Sequence, residues 1–260
     1  MNTSKAIEAT NNTVIAVESL SKRFRLLYIP KRATLKEALI TRQIFARPKT
    51  GRFIDALKDI NFTVSKGSAL GIVGPNGSGK TTLVKLIAGV MRPDTGRVLI
   101  SGNIAPLLSL GVGFHPDLTG RENAKINGLI LGLSPMEIES RMDQIAGFAE
   151  LNDFMDAPVH TYSSGMYMRL AFSVGINVDP DILLLDEVFA VGDEAFAKKC
   201  RAQMKRFKEA GKTLVFVSHD LTTVEKFCDV ALWLDRGSVR RIGDAREVVE
   251  AYRSDVSVSA

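Results

Sequence analysis

The chain has 260 residues, 45% of them hydrophobic, enough to bury a full core as one large or two small domains. No apolar run approaches the ~20 residues needed to cross a bilayer, and the polar start Met1–Thr13 has no apolar signal-peptide core, so the chain is expected in the cytoplasm. The net charge is +5, concentrated between Lys22 and Arg52, where ten Lys or Arg face the single acid Glu37; that stretch is either a solvated basic loop or a surface for an anionic partner such as lipid headgroups. Cys200 and Cys228 are the only cysteines and lack metal-ligand spacing, which suits a reducing compartment.

Val14–Ser19 reads as a short strand. In the basic stretch, Thr34-Leu35-Lys36-Glu37 forms a capping box. Leu35, Ala38, Leu39, Phe45 and Ala46 follow at near-helical spacing, and Pro48 stops the helix by about Arg47. A short amphipathic helix carrying Lys36 and Arg42 is therefore expected inside an inserted basic segment of about 22–52. Ile60–Val64 and Ala69–Val73 read as strands around the turn Ser65-Lys66-Gly67.

Next comes Gly74-Pro75-Asn76-Gly77-Ser78-Gly79-Lys80-Thr81, followed by Thr82. This is the G-x-x-x-x-G-K-[ST] pattern between an apolar strand and a helix, here expected to run to about Val90. Its glycines let backbone N–H groups curl around phosphates, and the helix offers its positive end to the anion. Lys80 is expected on the β- and γ-phosphates and the Thr81 hydroxyl on Mg²⁺. The pattern defines a nucleotide site and does not by itself separate transporters from GTPases or kinases.

The turn Arg92–Gly96 leads to short strands at Arg97–Ile100 and Ile104–Leu107. Residues of about 117–178 read mainly as helix, with a clear start at Ser134-Pro135-Met136-Glu137. The strand Asp181–Asp186 ends in the acid pair Asp186-Glu187, at the sheet edge where open α/β sheets bind ligands. Asp186 is expected to organise Mg²⁺, leaving Glu187 free to orient and deprotonate the attacking water. A helix over about 194–210, the strand Thr213–Val217 and then His219, a candidate γ-phosphate sensor, complete the pattern. Continuous apolar strands alternating with helices predict an α/β fold with a mainly parallel sheet. The small, polar residues after Tyr252 are expected to fray.

Between the glycine loop and the acid pair lies Tyr162-Ser163-Ser164-Gly165-Met166, leading into an amphipathic helix with Arg169, Leu170, Ala171 and Phe172. This resembles the LSGGQ signature of ABC ATPases, with Ser and the fourth-position Gly kept. The order of loop, signature, acid pair and histidine over residues 67–219 is similar to that family throughout. The resemblance implies a P-loop NTPase (RecA-like) core with a helical signature subdomain and antiparallel strands, all in a single nucleotide-binding domain over 1–260. It also implies a homodimer in which Ser163, Gly165 and Asp193, at the D-loop position, contact ATP bound to the partner chain. An aromatic stacks on adenine in this family. Phe24 best matches the position, with Tyr28 and Phe53 as alternatives. The Q-loop region Ala105–Pro116 holds no glutamine; Leu110 or His115 occupies its place, and neither receives a metal role.

The Ser163-Ser164-Gly165-Met166 signature, the Ala190-Val191-Gly192-Asp193 loop and the Gly113–Asn123 run resemble exporters of O-antigen, capsular polysaccharide and teichoic acid. That resemblance implies an ATPase using ATP and Mg²⁺ at the cytoplasmic face of the cytoplasmic membrane. Its implied partners are an integral membrane permease and, through it, a lipid-linked glycan, with no nucleic acid. The alternatives are the ATPase of another ABC transporter, or a soluble ABC ATPase acting on nucleic acid or ribosomes. Some exporters of this type carry a carbohydrate-binding β-sandwich after the cassette. The residues after the last sheet-like segment are too few for one of ~100 residues, and none is expected within this sequence.

Overall fold

The computed structural model describes residues 12–26, 52–108, 111–186, 193–218 and 220–259. The expected helix of 34–47, Tyr28, Leu110, Glu187 and His219 lie outside the described residues.

Among the described residues, two sheets and a helical layer make up the fold. The larger sheet has six strands: β3 (Ala69–Val73), β5 (Ile104–Leu107), β6 (Ile182–Asp186), β7 (Thr213–Val217), β8 (Val230–Asp235) and β9 (Ser238–Asp244). Their order is β5-β6-β7-β3-β8-β9. The first five run parallel, and only β9 is antiparallel to its neighbour. β3 and β7 are buried at every residue, which is why their sequences are continuous aliphatic runs without polar alternation. The smaller antiparallel sheet contains β1 (Thr13–Leu26), β2 (Arg52–Ser65) and β4 (Thr95–Ile100), in the order β2-β1-β4.

One face of the large sheet packs on the small sheet and on α1 (Lys80–Ile87), through Ile15, Val17, Leu20, Ile60, Leu83 and Ile87 among others. The opposite face is covered by α5 (Glu194–Glu209), α6 (Leu221–Phe227) and α7 (Ala245–Ser259) around Phe196, Phe216 and Trp233. The helical layer is α2 (Gly120–Ile130), α3 (Pro135–Ala149) and α4 (Ser164–Ile176), with its own core of Ile138, Met142, Ile145 and Leu170. The expected capping box starts α3, with Ser134 accepting from the Glu137 N–H and Pro135 in the first turn, and Thr119 with Glu122 does the same for α2. Among the described residues no helix is long and apolar enough to cross a membrane.

Four expectations change. β1 runs to Leu26 rather than stopping at Ser19, because Lys22–Leu26 pair with Leu57–Arg52 of β2. Backbone pairing there overrides the charged side chains, and both ends of the basic segment are hairpin arms. α1 stops at Ile87, short of Val90, since Gly89 takes φ 71°, a left-handed stop. The end of the chain is helical to Ser259. Ala245, Val248 and Val249 are buried and Tyr252 lies 5.4 Å from the Trp233 ring, so one helical face is anchored and propagates outward. Finally, β8 and β9 close the sheet beyond the strands expected.

Candidate functional site: the phosphate loop, the sheet edge and the signature helix

β3 is central in its sheet, so the chain leaving Val73 emerges at the carboxyl edge between β7 and β8. The loop Gly74–Gly79 turns there into α1. Gly74 has φ 146°, and a Cβ on it would meet the Leu234 carbonyl oxygen at 2.0 Å. Gly79 has φ 108°, and its Cβ would meet the Ala56 carbonyl oxygen at 2.6 Å. Both contacts are to backbone that cannot step aside, so glycine is required on conformational and steric grounds. The β8–β9 turn holds the loop from below, with Gly237 N–H donating to the Ser78 carbonyl at 2.9 Å.

The tip of the loop, Pro75-Asn76-Gly77, is exposed, while Ser78 and Lys80 are buried. The Lys80 Nζ donates to the carbonyl oxygens of Gly74 at 2.8 Å and Pro75 at 3.0 Å. The cation is thereby folded across the mouth of its own loop. Thr81 is exposed and Thr82 half-buried on the first turn of α1. Exposed backbone, one buried ammonium and a positive helix end fit a polyphosphate, and a hydroxyl on that turn fits a Mg²⁺ ion beside it.

Asp186 reaches the same edge. Asp186 is the last residue of β6 and pairs with Val217 at the end of β7, which pairs in turn with Ile72 of β3. At about 4.8 Å per strand, the Asp186 backbone stands two strands from the root of the loop. Past β7, Ser218 Oγ accepts from the Asp220 N–H at 3.0 Å, and Asp220 caps α6. Sheet order therefore brings the loop, Asp186 and the end of β7 together.

Phe24 and Phe53 both lie on the β1–β2 hairpin, 37% and 58% exposed. Lys22 Nζ sits 5.8 Å from the Phe24 ring and Arg23 sits 5.8 Å from the Phe53 ring. The hairpin reaches the loop through Ala56 and Leu57, both of which abut Gly79.

The signature stands apart, on the helical layer. Ser163 is the N-cap of α4, its Oγ accepting from the Met166 N–H at 3.2 Å. Ser163 and Ser164 are exposed, and a Cβ on Gly165 would meet only Ser163 Oγ, at 3.8 Å. Of the three residues that depart from LSGGQ, Ser164 shares this exposure, and Tyr162 and Met166 face the other way. Tyr162 donates its hydroxyl to the Phe154 carbonyl at 2.6 Å, and Tyr162 and Met166 pack on the helical core. Tyr162 and Met166 thus serve packing, and the exposed helix end carries the small polar residues Ser163 and Ser164. In the Q-loop region, β5 ends at Leu107 and the His115 ring accepts from the Asp117 N–H at 3.3 Å, within the turn before α2.

Asp193 caps α5, accepting from the Phe196 N–H at 2.9 Å, and its other oxygen binds Arg169 of α4. Its carboxyl is held below the ordinary range, first by the Phe196 N–H and also by the Arg169 charge. Neither Arg169 nor its second partner Glu150 stood out as functional in the sequence. The available signal was a lone cation ahead of the apolar run Leu170–Phe172.

A parallel sheet with a phosphate loop at its carboxyl edge, an antiparallel sheet and a separate three-helix layer define a nucleotide-binding cassette. Residues 57–190, more than half of the chain, match the ABC transporter family. The chain belongs to that family. It is 56% identical over 206 residues to the O-antigen export system ATP-binding protein RfbB of Myxococcus xanthus, covering 79% of this chain and 47% of that one. It is 43% identical to the teichoic acids export ATP-binding protein TagH of Bacillus anthracis, covering 93% of this chain and 42% of that protein. The chain thus spans less than half the length of these two relatives. Among solved structures, the cassette MJ0796, a dimer bound to ADP and Pi, superposes with a TM-score of 0.69 at 23% identity, covering 89% of this chain and 99% of that one.

Proposed function

We propose that this chain is the ATP-hydrolysing subunit of an ABC exporter that moves a lipid-linked polysaccharide, of the O-antigen, capsule or teichoic acid class, across the cytoplasmic membrane. The observation that carries the reading is the division of the site. A complete phosphate loop lies at the sheet edge, and a helix end with exposed Ser163 and Ser164 and half-buried Gly165 lies on a different layer. Two copies arranged head to tail unite each loop with the other copy's helix end. The kinship with the O-antigen and teichoic acid export proteins supports the glycan class.

In this reading the backbone N–H groups of Gly77–Thr81 and the Lys80 ammonium bind the β- and γ-phosphates, with Thr82 beside them and Phe24 against the adenine. Thr81 and Asp186 hold Mg²⁺, which when bound neutralises charge on the phosphate oxygens. Glu187 accepts the proton of the attacking water as its oxygen bonds to the γ-phosphorus and the bond to the ADP oxygen breaks. His219 contacts the γ-phosphate and registers its loss. Ser163 and Gly165 close over the partner's ATP, and release of ADP and phosphate reopens the dimer. The permease docks in an apolar groove of about 200 Å³ lined by Val90, Leu108, Val112, Ile130 and Leu131. Val90 is 70% exposed and Val112 and Ile130 are each 57% exposed, a cluster of apolar side chains open to a partner.

Replacing Glu187 by Gln tests the centre of this reading. The amide keeps the shape but does not take the proton, so ATP binding persists while steady-state phosphate release stops, and ATP holds the cassettes closed as a dimer. Phosphate release in the variant close to that of the parent protein removes Glu187 from the role of base.

A further inference from the structure

Where β8 turns into β9, beside the phosphate loop, the surface folds into a cleft of about 440 Å³, within the range of about 300–1,000 Å³ that small-molecule sites occupy. It is lined by Pro75 of the phosphate loop, Trp233 and Asp235 of β8, Arg236 of the turn, Arg240 of β9 and Tyr252 of α7. Two rings form its apolar part. The centroids of Trp233 and Tyr252 stand 5.4 Å apart with planes inclined at 59°. A slot between parallel faces suits a flat base. Faces at this angle make a corner, which suits a puckered ring with C–H groups on more than one side. Trp233 is 9% exposed, and its buried indole N–H has no hydrogen-bond partner among the described residues. Buried donors in native proteins are nearly always satisfied, so an orphan in the wall of a cleft marks a place that an incoming acceptor completes.

The polar part is balanced in charge. Asp235, its side chain 17% exposed, accepts from Arg240 Nε at 3.2 Å. Burial raises the pKa of the Tyr252 hydroxyl above its ordinary value, and the carboxylates of Asp235 and Asp255 push it the same way, so it stays a donor across the physiological range. Arg236 and Gly237 form the two-residue turn between the strands, with φ 45° and 80°. Asn-Gly or Asp-Gly fills such a left-handed pair most readily, and an arginine there is uncommon. The turn nevertheless keeps an exposed guanidinium at the cleft. Two guanidiniums and two carboxylates leave no net charge to draw an anion. Donors and acceptors in alternation match hydroxyl groups, which do both.

We propose that this cleft binds a neutral sugar ring, with Trp233 and Tyr252 against its C–H groups and Asp235, Arg236 and Arg240 on its hydroxyls, and that its occupancy is felt at the phosphate loop. The route is short. Pro75 lines the cleft, the Gly237 N–H donates to the Ser78 carbonyl at 2.9 Å, and a Cβ on Gly74 would meet the Leu234 carbonyl oxygen at 2.0 Å. The end of β8 and its turn therefore touch the loop at Gly74 and at Ser78, and a ligand wedged between Pro75 and α7 bears on both. The sugar class comes from the side chains alone; that such a sugar belongs to an exported glycan rests on the reading above.

Trp233 is the only tryptophan of the chain, so its fluorescence reports on this cleft. The full chain is titrated, without ATP, with the methyl α-glycosides of mannose, galactose, rhamnose and N-acetylglucosamine, and separately with inorganic phosphate. A saturable change in emission is expected with at least one glycoside, half-complete near the millimolar level that a ligand of roughly a dozen heavy atoms allows. Arg240→Gln and Asp235→Asn are expected to weaken that binding roughly tenfold or more, and Tyr252→Ala to abolish it, with thermal unfolding measured for each. Should Tyr252→Ala loosen α7, Arg240→Gln carries the test, because that side chain is 60% exposed. The glycoside that binds is expected to shift ATP affinity by about fivefold or more, and Arg240→Gln to remove the shift. No saturable change with any glycoside up to about 100 mM, or the same response in all three variants as in the parent protein, overturns the sugar site. A response to phosphate alone makes the cleft an anion site and overturns it as well. Sugar binding that leaves ATP affinity unchanged overturns the link to the phosphate loop. A parent protein that does not hydrolyse ATP overturns the functional reading and leaves the sugar site standing, since the fluorescence titration needs no nucleotide.

Discussion

The ammonium of Lys80 donates to the carbonyl oxygen of Gly74 at 2.8 Å, closing a ring across the mouth of the phosphate loop. The side chain is 6% exposed, so its charge sits in a place of low dielectric, satisfied by backbone carbonyls and ready to turn onto a phosphate. Charge-assisted hydrogen bonds contribute about 1.5–3 kcal/mol each. Lys80→Ala is therefore expected to weaken ATP binding roughly 10- to 100-fold while the protein stays folded. Titration with ATP and thermal unfolding check this, and unaltered ATP affinity would show that Lys80 serves the loop alone.

The two thiols give a test of the core that is independent of catalysis. Cys200 is 1% exposed on the buried face of α5 and Cys228 is 8% exposed at the end of α6. Burial pushes both thiols up to about 12. The thiolate is the reactive form, and at pH 8 a thiol with that value is ionised to roughly one part in 10⁴. Both are expected to resist a maleimide in the native protein and to react together in denaturant. Reaction of either at the rate of a free thiol under native conditions would mean that α5 or α6 opens readily.

The head-to-tail arrangement is tested with mixed dimers bearing Ser163→Arg and Lys80→Ala. If each site takes Lys80 from one protomer and Ser163 from the other, placing both changes on one protomer damages both sites. Placing one change on each protomer concentrates the damage in one site and leaves the other whole. The second arrangement is expected to retain substantially more ATP hydrolysis, measured on dimers purified with two different tags. Equal loss in the two arrangements rejects composite sites. Ser163 is an N-cap, and losing it costs about 1 kcal/mol, a penalty common to both arrangements that cancels in the comparison.

Much of this site was legible because its chemistry dictates residue type. Only glycine tolerates the positions of Gly74 and Gly79, and the buried parallel strands Ile182–Leu185 and Thr213–Val217 carry no polar alternation to mislead. The phosphate loop, Asp186 and Ser163 lie on the elements expected of them. What was hidden depends on distant meetings. Arg169 binds Glu150 and Asp193, 19 and 24 residues away, and no local pattern announces such a junction. Asp193 meets Phe196 and Arg169 of its own chain, and of these only the local cap on Phe196 lies within reach of a sequence pattern. The long β1–β2 hairpin was hidden by Lys22, Arg23 and Arg25, whose charges read as loop although their backbones pair across to Leu57, Asp55 and Phe53.

That hairpin leads to the last prediction. Its arms end at Leu26 and Arg52, and the sequence between them carries Lys31, Arg32, Lys36, Arg42, Arg47 and Lys49 against the single acid Glu37. The described arms add Arg23 and Arg25, both exposed, together with half-exposed Phe24 and Phe53. Clustered cations with aromatic neighbours suit the boundary between water and an anionic membrane surface, where each Lys or Arg contributes about 1 kcal/mol. In an exporter of a pyrophosphate-linked glycan, the same charges attract the substrate headgroup toward the permease. Replacing Lys31, Arg32, Lys36 and Arg42 together by Gln removes four of these charges, about 4 kcal/mol of attraction at most, without touching the phosphate loop, Asp186 or the signature helix. Glycan export in cells is expected to fall several-fold, while the purified chain hydrolyses ATP at its original rate. Binding to vesicles with and without anionic lipid separates attraction to the membrane from attraction to the glycan. Export unchanged in the quadruple variant would mean that the basic face is only solvated, and a parallel loss of ATPase activity would place the segment within the cassette's own site.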